Sequence, residues 1–315
     1  MESLHIRTPL FESKQLSNIS GKNILLKMDC FQPTGSFKIR GIGQLCQELI
    51  TKGHSQLVSS SGGNAGYAVA YAGKKLGVPV TVFVPETTNP IFLHHLTLEG
   101  ADIKIHGAVW DEAHQAAMEF VDNTNGGYVP PFDHPSIWAG HSTMIDEVVQ
   151  QCEKPDAVIA AVGGGGLLCG VLEGLERHGW SDISVFSVET EGAASFAESI
   201  KAGELITLER INTVATSLGA KQVASQLFEW SKKRAITPLV VSDHSAISAC
   251  RKFVDDHRVL VEPACGAALS AIYNSNDIHH LSEVKSILVI VCGGIGVSID
   301  LLNQYITQCS LLRDN

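Results

Sequence analysis

The alternation of short apolar runs with longer helical stretches constrains the fold of this chain more than any other feature. Several of the runs are apolar on both alternating faces, which is typical of strands buried between layers of helices. The expected strands are 24–28, 57–59, 80–84, 102–106, 157–162, 183–189 and 287–291. The expected helices are 36–50, 64–76, 90–99, 110–123, 136–151, 167–177, 244–256 and 297–308. This order predicts an α/β fold with mainly parallel sheets.

A proline-rich loop at 129–135 divides the alternation into two sets. Its three prolines cannot continue a helix or a central strand. We therefore predict two lobes, each with a twisted, mainly parallel sheet flanked by helices. The small α/β domain is expected at 36–139, and the large one is expected to combine 1–35 with 140–315. Ligands of open α/β sheets bind beyond the carboxyl ends of the strands, so the site is expected between the lobes.

The composition excludes several classes of protein. The chain has 315 residues and a net charge of −10, without a dense basic run, so nucleic acid is not an expected partner. No apolar segment approaches the roughly 20 residues of a membrane span, and the first residues do not resemble a secretory signal. The eight cysteines are scattered without a CxxC pair, which favours reduced thiols and a cytoplasmic location. None of the thirteen histidines has the spacing of a zinc motif.

One lysine and three glycine-rich segments follow predicted strands. Lys38 ends the sequence Pro-Thr-Gly-Ser-Phe-Lys at 33–38, and the glycine-rich segments are 60–66, 163–166 and 292–294. A lysine amine forms a Schiff base with pyridoxal phosphate, and glycine-lined backbone amides bind its phosphate. Together these segments predict a site that holds a phosphorylated ring beside Lys38.

The four-glycine run at 163–166 lies between a predicted strand and a predicted helix. Backbone without side chains can approach a phosphate closely, and a helix N-terminus adds unpaired N–H donors. A tight turn is one alternative, and a dinucleotide fingerprint is another. In the fingerprint G-x-G-x-x-G the third glycine would stand at Leu168, so the pattern is incomplete, although Glu189 stands near the position of its acidic residue.

Each of the other candidate residues also has an ordinary structural interpretation. Lys38 could be a surface lysine, but burial beside Phe37 would lower its pKa, as a Schiff-base lysine needs. Asn64 could be a helix N-cap or a donor to a ring hydroxyl. Cys292 could be a small core residue or a neutral thiol facing a pyridine nitrogen.

The chain closely resembles the serine dehydratase (L-serine ammonia-lyase) group of pyridoxal-phosphate enzymes, which have the tryptophan synthase β-like fold (fold type II). The most specific matching segments are 35–41 (Gly-Ser-Phe-Lys-Ile-Arg-Gly), 130–135 (Pro-Pro-Phe-Asp-His-Pro) and 261–268 (Val-Glu-Pro-Ala-Cys-Gly-Ala-Ala). The resemblance extends from 8–10 to 292–294, which is nearly the whole chain.

The resemblance implies a role for each site residue. Lys38 would carry the internal aldimine and Phe37 would pack on one face of the ring. Asn64 would bond the ring hydroxyl and Cys292 would face the pyridine nitrogen. The implied phosphate ligands are Gly163, Gly164, Gly165, Gly166 and Leu167. The implied substrate-carboxylate ligands are Ser61, Asn64 and Ala65. The implied site for a monovalent cation such as K+ consists of Glu189 with the carbonyls of Ala193 and Leu218.

Two departures from the family pattern bear on the reaction. Gly62 stands where serine racemases of this fold carry a serine that acts as a second base, and this disfavours racemisation and leaves extra space. The family's usual Gly-Gly-Ser/Asn-Asn stretch reads Gly-Gly-Ile-Gly at 293–296, so the side chain of Ile295 cannot supply a polar contact. The sequence after Cys292 leaves no room for the regulatory domain of biosynthetic threonine deaminases.

The expected function is dehydration of L-serine, and of L-threonine, to the 2-oxo acid and ammonia. In this reaction Lys38 forms the Schiff base and removes the α-proton. The alternatives are a threonine-preferring dehydratase, a catalytically silent regulator that binds the cofactor, and a dinucleotide-binding oxidoreductase. A homodimer is implied by the resemblance alone.

Overall fold

Two parallel sheets form the framework of the molecule. The computed structural model describes residues 2–274 and 281–311. The larger sheet has six strands in the order β1-β2-β10-β7-β8-β9. Its strands are β1 Leu10–Glu12, β2 Asn23–Lys27, β7 Ala157–Ala161, β8 Ser184–Thr190, β9 Ile236–Val241 and β10 Ser286–Ile290. All neighbours are parallel except β1, which pairs antiparallel with β2.

The smaller sheet has four parallel strands in the order β5-β4-β3-β6. Its strands are β3 Gln56–Ser59, β4 Val80–Val84, β5 Asp102–Ile105 and β6 Gly126–Tyr128. Every residue of β4 is buried, as expected of a strand covered by helices on both faces. The prediction of an α/β fold with two mainly parallel sheets is therefore confirmed.

Helices cover both sheets and connect the parallel strands. Their bounds are α1 Lys14–Ser20, α2 Lys38–Thr51, α3 Asn64–Leu76, α4 Pro90–Leu98, α5 Trp110–Asp122, α6 Pro135–Gln151, α7 Gly166–Arg177, α8 Ser195–Ala202, α9 Ser225–Lys233, α10 Asp243–His257, α11 Pro263–Tyr273 and α12 Ile299–Leu311. Helix α6 packs against both α2 and α7, so it connects the helices of the two sheets.

Local sequence signals explain where several helices begin. Asn89 caps α4 by accepting a hydrogen bond from the backbone N–H of Ile91, and Pro90 takes the first helical position. Ser242 caps α10 in the same way by accepting from the N–H of Ser245. Such capping fixes the start of an element independently of the rest of the fold.

The apolar core is divided between the two sheets. One large cluster of buried residues surrounds the six-stranded sheet, and a second lies against the four-stranded sheet. The strands of the smaller sheet fall within 36–139 and those of the larger sheet fall outside it. The domain limits themselves stay a prediction, and the parts of the expected large domain at 275–280 and 312–315 lie outside the described residues.

Candidate active site

The loop that carries Lys38 is joined to the loop after β10 by backbone hydrogen bonds. Ser36 and Gly293 form an isolated antiparallel bridge. The N–H of Phe37 donates to the carbonyl of Cys292 at 3.1 Å, and the N–H of Gly294 donates to the carbonyl of Gly35 at 2.9 Å. Gly293 and Gly294 have φ values of +83° and +127°, which side-chain-bearing residues rarely adopt. The glycines are therefore needed to bring the two loops together.

The amine of Lys38 lies deep among protein atoms, although the residue as a whole is only half-buried. It donates to the carbonyl of Pro131 at 2.6 Å and lies 5.3 Å from the centroid of the Phe37 ring. Burial lowers the pKa of Lys38 to about 8, while Cys292 and Glu262 act in the opposite direction. A substantial fraction of this amine is therefore neutral near physiological pH, as a nucleophile requires.

The four-glycine run turns from β7 into the first turn of α7. A Cβ atom on Gly164 would lie 2.3 Å from the Phe132 ring, and one on Gly163 would lie 2.9 Å from the Cα atom of Leu218. Gly165 has a φ of +86°. The run therefore packs closely against protein on this side, and only glycine fits there. The first N–H groups of α7 have no partners within the helix, so they are available to an anion.

Asn64 is the first residue of α3, and Gly63 rather than Asn64 is the N-cap. The Nδ2 atom of Asn64 donates to both carboxyl oxygens of Glu262 at 3.1 and 3.0 Å. Its Oδ1 atom accepts a hydrogen bond from the N–H of Ile295 at 3.1 Å. The N-cap interpretation is therefore wrong, because this side chain reaches across to another loop.

Ser61 lies in the loop between β3 and α3, and Ala65 is the second residue of α3. The hydroxyl of Ser61 accepts a weak hydrogen bond from the N–H of Gly63 at 3.4 Å, and Ala65 is buried. A Cβ atom on Gly66 would lie 1.7 Å from the carbonyl oxygen of Ser61, so this loop folds tightly against the helix. The N–H groups at the start of α3 thus lie beside Ser61, where a carboxylate would find donors.

Glu262 is the residue of this region to which the sequence analysis assigned no role. Its carboxyl accepts from the N–H of Gly296 at 2.6 Å and from the hydroxyl of Ser217 at 2.6 Å, in addition to Asn64. Burial raises its pKa, and these hydrogen bonds oppose the rise. The sequence signals for it were its position directly before Pro263 and an apolar helix, and its place in the matching segment 261–268.

Cys292 is buried at the end of β10, and its thiol is held neutral. A hydrogen bond with Cys265 and burial raise the pKa of Cys292 well above its ordinary value. A neutral thiol matches the expectation for this residue. Its orientation toward a pyridine nitrogen stays a prediction.

The space beside Gly62 is already filled by protein. A Cβ atom on Gly62 would lie 2.7 Å from Cγ2 of Thr88 and 3.0 Å from Cγ1 of Val84. The expectation that this glycine leaves extra space is therefore wrong. Thr88, held by its hydrogen bond to the carbonyl of Pro85, takes up that volume.

Glu189 caps a helix rather than standing free at the end of β8. Its two carboxyl oxygens accept hydrogen bonds from the N–H groups of Phe196 and Ala197 at 2.9 and 2.8 Å. Burial raises the pKa of Glu189 to about 7, although these hydrogen bonds act to lower it. With its oxygens bonded to backbone, Glu189 is poorly placed to bind a dinucleotide ribose.

The other two expected cation ligands lie at the same end of the sheet. Ala193 follows β8 closely, and Leu218 lies against Gly163. The described residues contain no group of three or more histidine, cysteine, aspartate or glutamate side chains that could hold a metal ion. Any cation here would therefore need backbone carbonyls in addition to Glu189. Nor does 2–274 or 281–311 contain a helix long and apolar enough to cross a membrane.

Comparison with known proteins agrees with this geometry. The family model described as "Pyridoxal-phosphate dependent enzyme" matches residues 1–293. The L-serine dehydratase/L-threonine deaminase of Bos taurus is 48% identical over 305 residues, covering 94% of this chain and 93% of that protein. The crystal structure of a fungal L-serine ammonia-lyase from Rhizomucor miehei superposes with a TM-score of 0.92 at 40% identity, covering 98% and 99% of the two chains.

A more distant structure with a different named activity shares the fold. The structure of maize serine racemase superposes with a TM-score of 0.87 at 26% identity, covering 99% of this chain and 94% of that one. The family match covers far more than half of the sequence and includes every loop of the site except the end of the last one. The chain belongs to the family of pyridoxal-phosphate dependent enzymes.

Proposed function

We propose that the protein is an L-serine dehydratase that converts L-serine to pyruvate and ammonia, and L-threonine to 2-oxobutanoate and ammonia. The observation that carries the proposal is the buried amine of Lys38, which donates to the carbonyl of Pro131 and has a pKa lowered to about 8. The Bos taurus and Rhizomucor miehei proteins, which carry these activities in their names, support the choice of substrate.

The residues of the site fit pyridoxal phosphate. Gly163 and Gly164 pack so closely against Leu218 and Phe132 that neither position has room for a side chain. The run therefore offers only backbone, which can approach a phosphate closely. The N-terminus of α7 supplies N–H donors and a favourable dipole for it. Lys38 supplies the amine for covalent attachment, and Asn64 supplies an amide for the ring hydroxyl. When bound, the cofactor withdraws electrons from the α-carbon of the substrate.

The protein's own groups would then bind, orient and deprotonate the amino acid. Ser61 and the N–H groups at Asn64 and Ala65 would hold the substrate carboxylate. The neutral amine of Lys38 would accept the proton from the α-carbon, because its lowered pKa leaves a base available near neutral pH. The hydroxyl leaves the β-carbon with a proton, so the substrate loses water. The released enamine hydrolyses to the 2-oxo acid and ammonia.

The surroundings of the site complete the proposal. We propose that Glu189, with the carbonyls of Ala193 and Leu218, binds a monovalent cation such as K+, and that the protein acts in the cytoplasm as a homodimer. Gly62 supports elimination over racemisation, because the face opposite Lys38 has no second base at this position and Thr88 fills the space.

The test is release of 2-oxo acid from L-serine, L-threonine and D-serine in parallel, with and without K+. We expect turnover of both L-amino acids, little turnover of D-serine, and loss of all turnover in Lys38→Ala. A fully active Lys38→Ala variant would overturn the assignment. A yellow protein that is inert toward amino acids would instead indicate a silent binder of the cofactor.

A further inference from the structure

Arg40 lies two residues beyond Lys38 on the first turn of α2 and belongs to a cluster of buried charged residues. Arg40 has no solvent-exposed surface, and neither do Asp29 and Lys27. Glu147 completes the cluster with a side chain that is 13% exposed. The cluster contains two cations and two anions, so its formal charges cancel. Buried charged groups are stable only when they are paired in this way.

Both sides of the Arg40 guanidinium are held by carboxylates. Nε and Nη2 donate to the two oxygens of Asp29 at 2.6 and 2.9 Å, and Nη1 and Nη2 donate to the two oxygens of Glu147 at 2.7 and 2.9 Å. Such paired, charge-assisted bonds fix direction as well as distance. The guanidinium therefore has little freedom to rotate or shift.

The carboxylates come from elements outside α2. Asp29 follows β2 in the six-stranded sheet, and Glu147 lies on α6. Lys27, the last residue of β2, donates to Glu147 at 2.5 Å and to the carbonyl of Thr8 at 2.9 Å. The cluster thus connects the first turn of α2 to the larger sheet and to α6.

The backbones of α2 and α6 touch at the same point. A Cβ atom on Gly140 would lie 2.5 Å from the carbonyl oxygen of Arg40 and 2.6 Å from the Cα atom of Gly41. The N–H of Gly41 donates to Nδ1 of His141 at 3.2 Å. Because Gly140 contacts the backbone of Arg40 and Gly41 directly, a shift of α6 at this contact would displace the turn that carries Lys38.

We propose that Arg40 is a positioning residue for Lys38, and that Asp29 and Glu147 hold Arg40 to form an ionic clamp on the first turn of α2. The proposal rests on the proposed role of Lys38 as the cofactor-binding lysine and base. Apolar residues of similar volume could fill this space without desolvating charges. What the charges add is a fixed direction for the turn, and hence a fixed place for the amine.

The test compares three variants with the wild type. Arg40→Lys keeps the charge but loses the paired geometry. Leu16→Ala is the stability control, because it shortens a fully buried apolar side chain on α1 and leaves both carboxylates on Arg40. Asp146→Asn is the surface control, because Asp146 lies on α6 in an exposed ion pair with Arg177.

Two measurements report on the position of the amine. The first is the rate at which cofactor-free protein becomes labelled at Lys38 by pyridoxal phosphate after borohydride reduction, located by peptide mass. The second is the isotope effect on kcat/KM with α-deuterated L-serine. Thermal unfolding is recorded for each variant so that loss of stability is measured separately.

For Arg40→Lys we expect labelling and kcat to fall by about 10- to 100-fold, because a misplacement of about 1 Å has effects of that order. KM should change far less, and the isotope effect should rise. Asp146→Asn should match the wild type, and Leu16→Ala should lower Tm without slowing labelling. If Arg40→Lys does not fold, Glu147→Gln takes its place, with the same expectations.

Two results would overturn the clamp. One is wild-type labelling and isotope effect in a folded Arg40→Lys or Glu147→Gln variant. The other is equal slowing by Leu16→Ala, because the effect would then follow stability rather than position. Failure of the proposed function looks different, since wild-type protein itself would then not be labelled at Lys38.

Discussion

The amine of Lys38 is surrounded by Pro131, Phe37 and the loop of Cys292 rather than by water. Removal of water disfavours the charged ammonium, which is why its pKa falls from an ordinary 10.5 to about 8. A neighbouring carbonyl can accept its hydrogen bond but adds no full negative charge. Burial of Lys38 therefore increases the neutral fraction of its amine near physiological pH.

Covalent attachment of pyridoxal phosphate to cofactor-free protein should accelerate as pH rises and level off above about pH 8. The neutral amine is the nucleophile, and its fraction increases as pH passes through the pKa of Lys38. The measurement is the growth of yellow absorbance in stopped-flow mixing at a series of pH values. A small lysine peptide is the control. A midpoint near 10.5 for the protein would contradict the burial argument.

Gly62→Ser should destabilise the fold without creating a racemase. The new Cβ would meet Thr88 at 2.7 Å, and overpacking of this kind costs about 1–3 kcal/mol in free energy of unfolding. The double variant Gly62→Ser/Thr88→Ala should recover most of that loss. Denaturant unfolding and chiral analysis of the serine pool test the two claims. A single variant as stable as the wild type would show that Thr88 does not restrict this position.

At the scale of elements, capping links Glu189 to helix α8. Its carboxyl accepts the N–H groups of Phe196 and Ala197, which favours the ionised form, but burial outweighs them and raises its pKa to about 7. A raised folded-state pKa means that the protein binds the extra proton more tightly than the unfolded chain. Glu189 therefore favours folding at low pH, and this contribution is lost as pH rises from about 4.5 to about 7.

A bound monovalent cation should restore the stability that is lost when Glu189 ionises. We expect K+ to raise Tm more at pH 8, where Glu189 is ionised, than at pH 6, where it is protonated. Glu189→Gln should abolish the difference between the two pH values. Differential scanning calorimetry in KCl, with tetramethylammonium chloride at equal ionic strength as the control, measures it. Equal stabilisation by both salts would argue against a specific cation site.

The elements differ in how readily the sequence reveals them. Helix α3 was predicted with its exact bounds as observed, because a glycine-rich loop precedes it and Gly77 ends it. Strand β9 was missed because Pro238 interrupts its pattern, which only an edge strand tolerates. Helix α11 was missed because it is buried all round and so lacks an amphipathic pattern. Strands β1 and β6 and helices α1, α8 and α9 were missed as well.

At the scale of the whole molecule, the site depends on loops from both sheets. The loop after β3 belongs to the four-stranded sheet, while the loops after β7 and β10 belong to the six-stranded sheet. A cofactor that contacts all of them would stabilise the sheets together. Ligand at 100 times its Kd should stabilise the folded state by about 2.7 kcal/mol.

Gly164→Ala should remove at least about half of that stabilisation. The added methyl group would lie 2.3 Å from the Phe132 ring, so the run would have to shift from the position in which its backbone is proposed to bind the phosphate. Thermal unfolding with pyridoxal phosphate and with pyridoxal separates the effects. We expect the variant to lose affinity for the phosphorylated form by at least about tenfold, or about 1.4 kcal/mol, and to bind pyridoxal much as the wild type does. Equal loss for both ligands would place the phosphate elsewhere.

The sequence by itself determined the α/β class, most of the central strands and helices, and the loops that carry Lys38, Asn64, Gly163–166 and Cys292. These features depend on residue type and on spacing along the chain, because local backbone preferences and hydrophobic periodicity determine them. Only the tertiary structure decided that Glu262 meets Asn64, that Thr88 fills the space beside Gly62, and that Arg40 is held by Asp29 and Glu147. Those partners are separated by 11 to 198 residues, so their contact follows from packing and not from any local pattern.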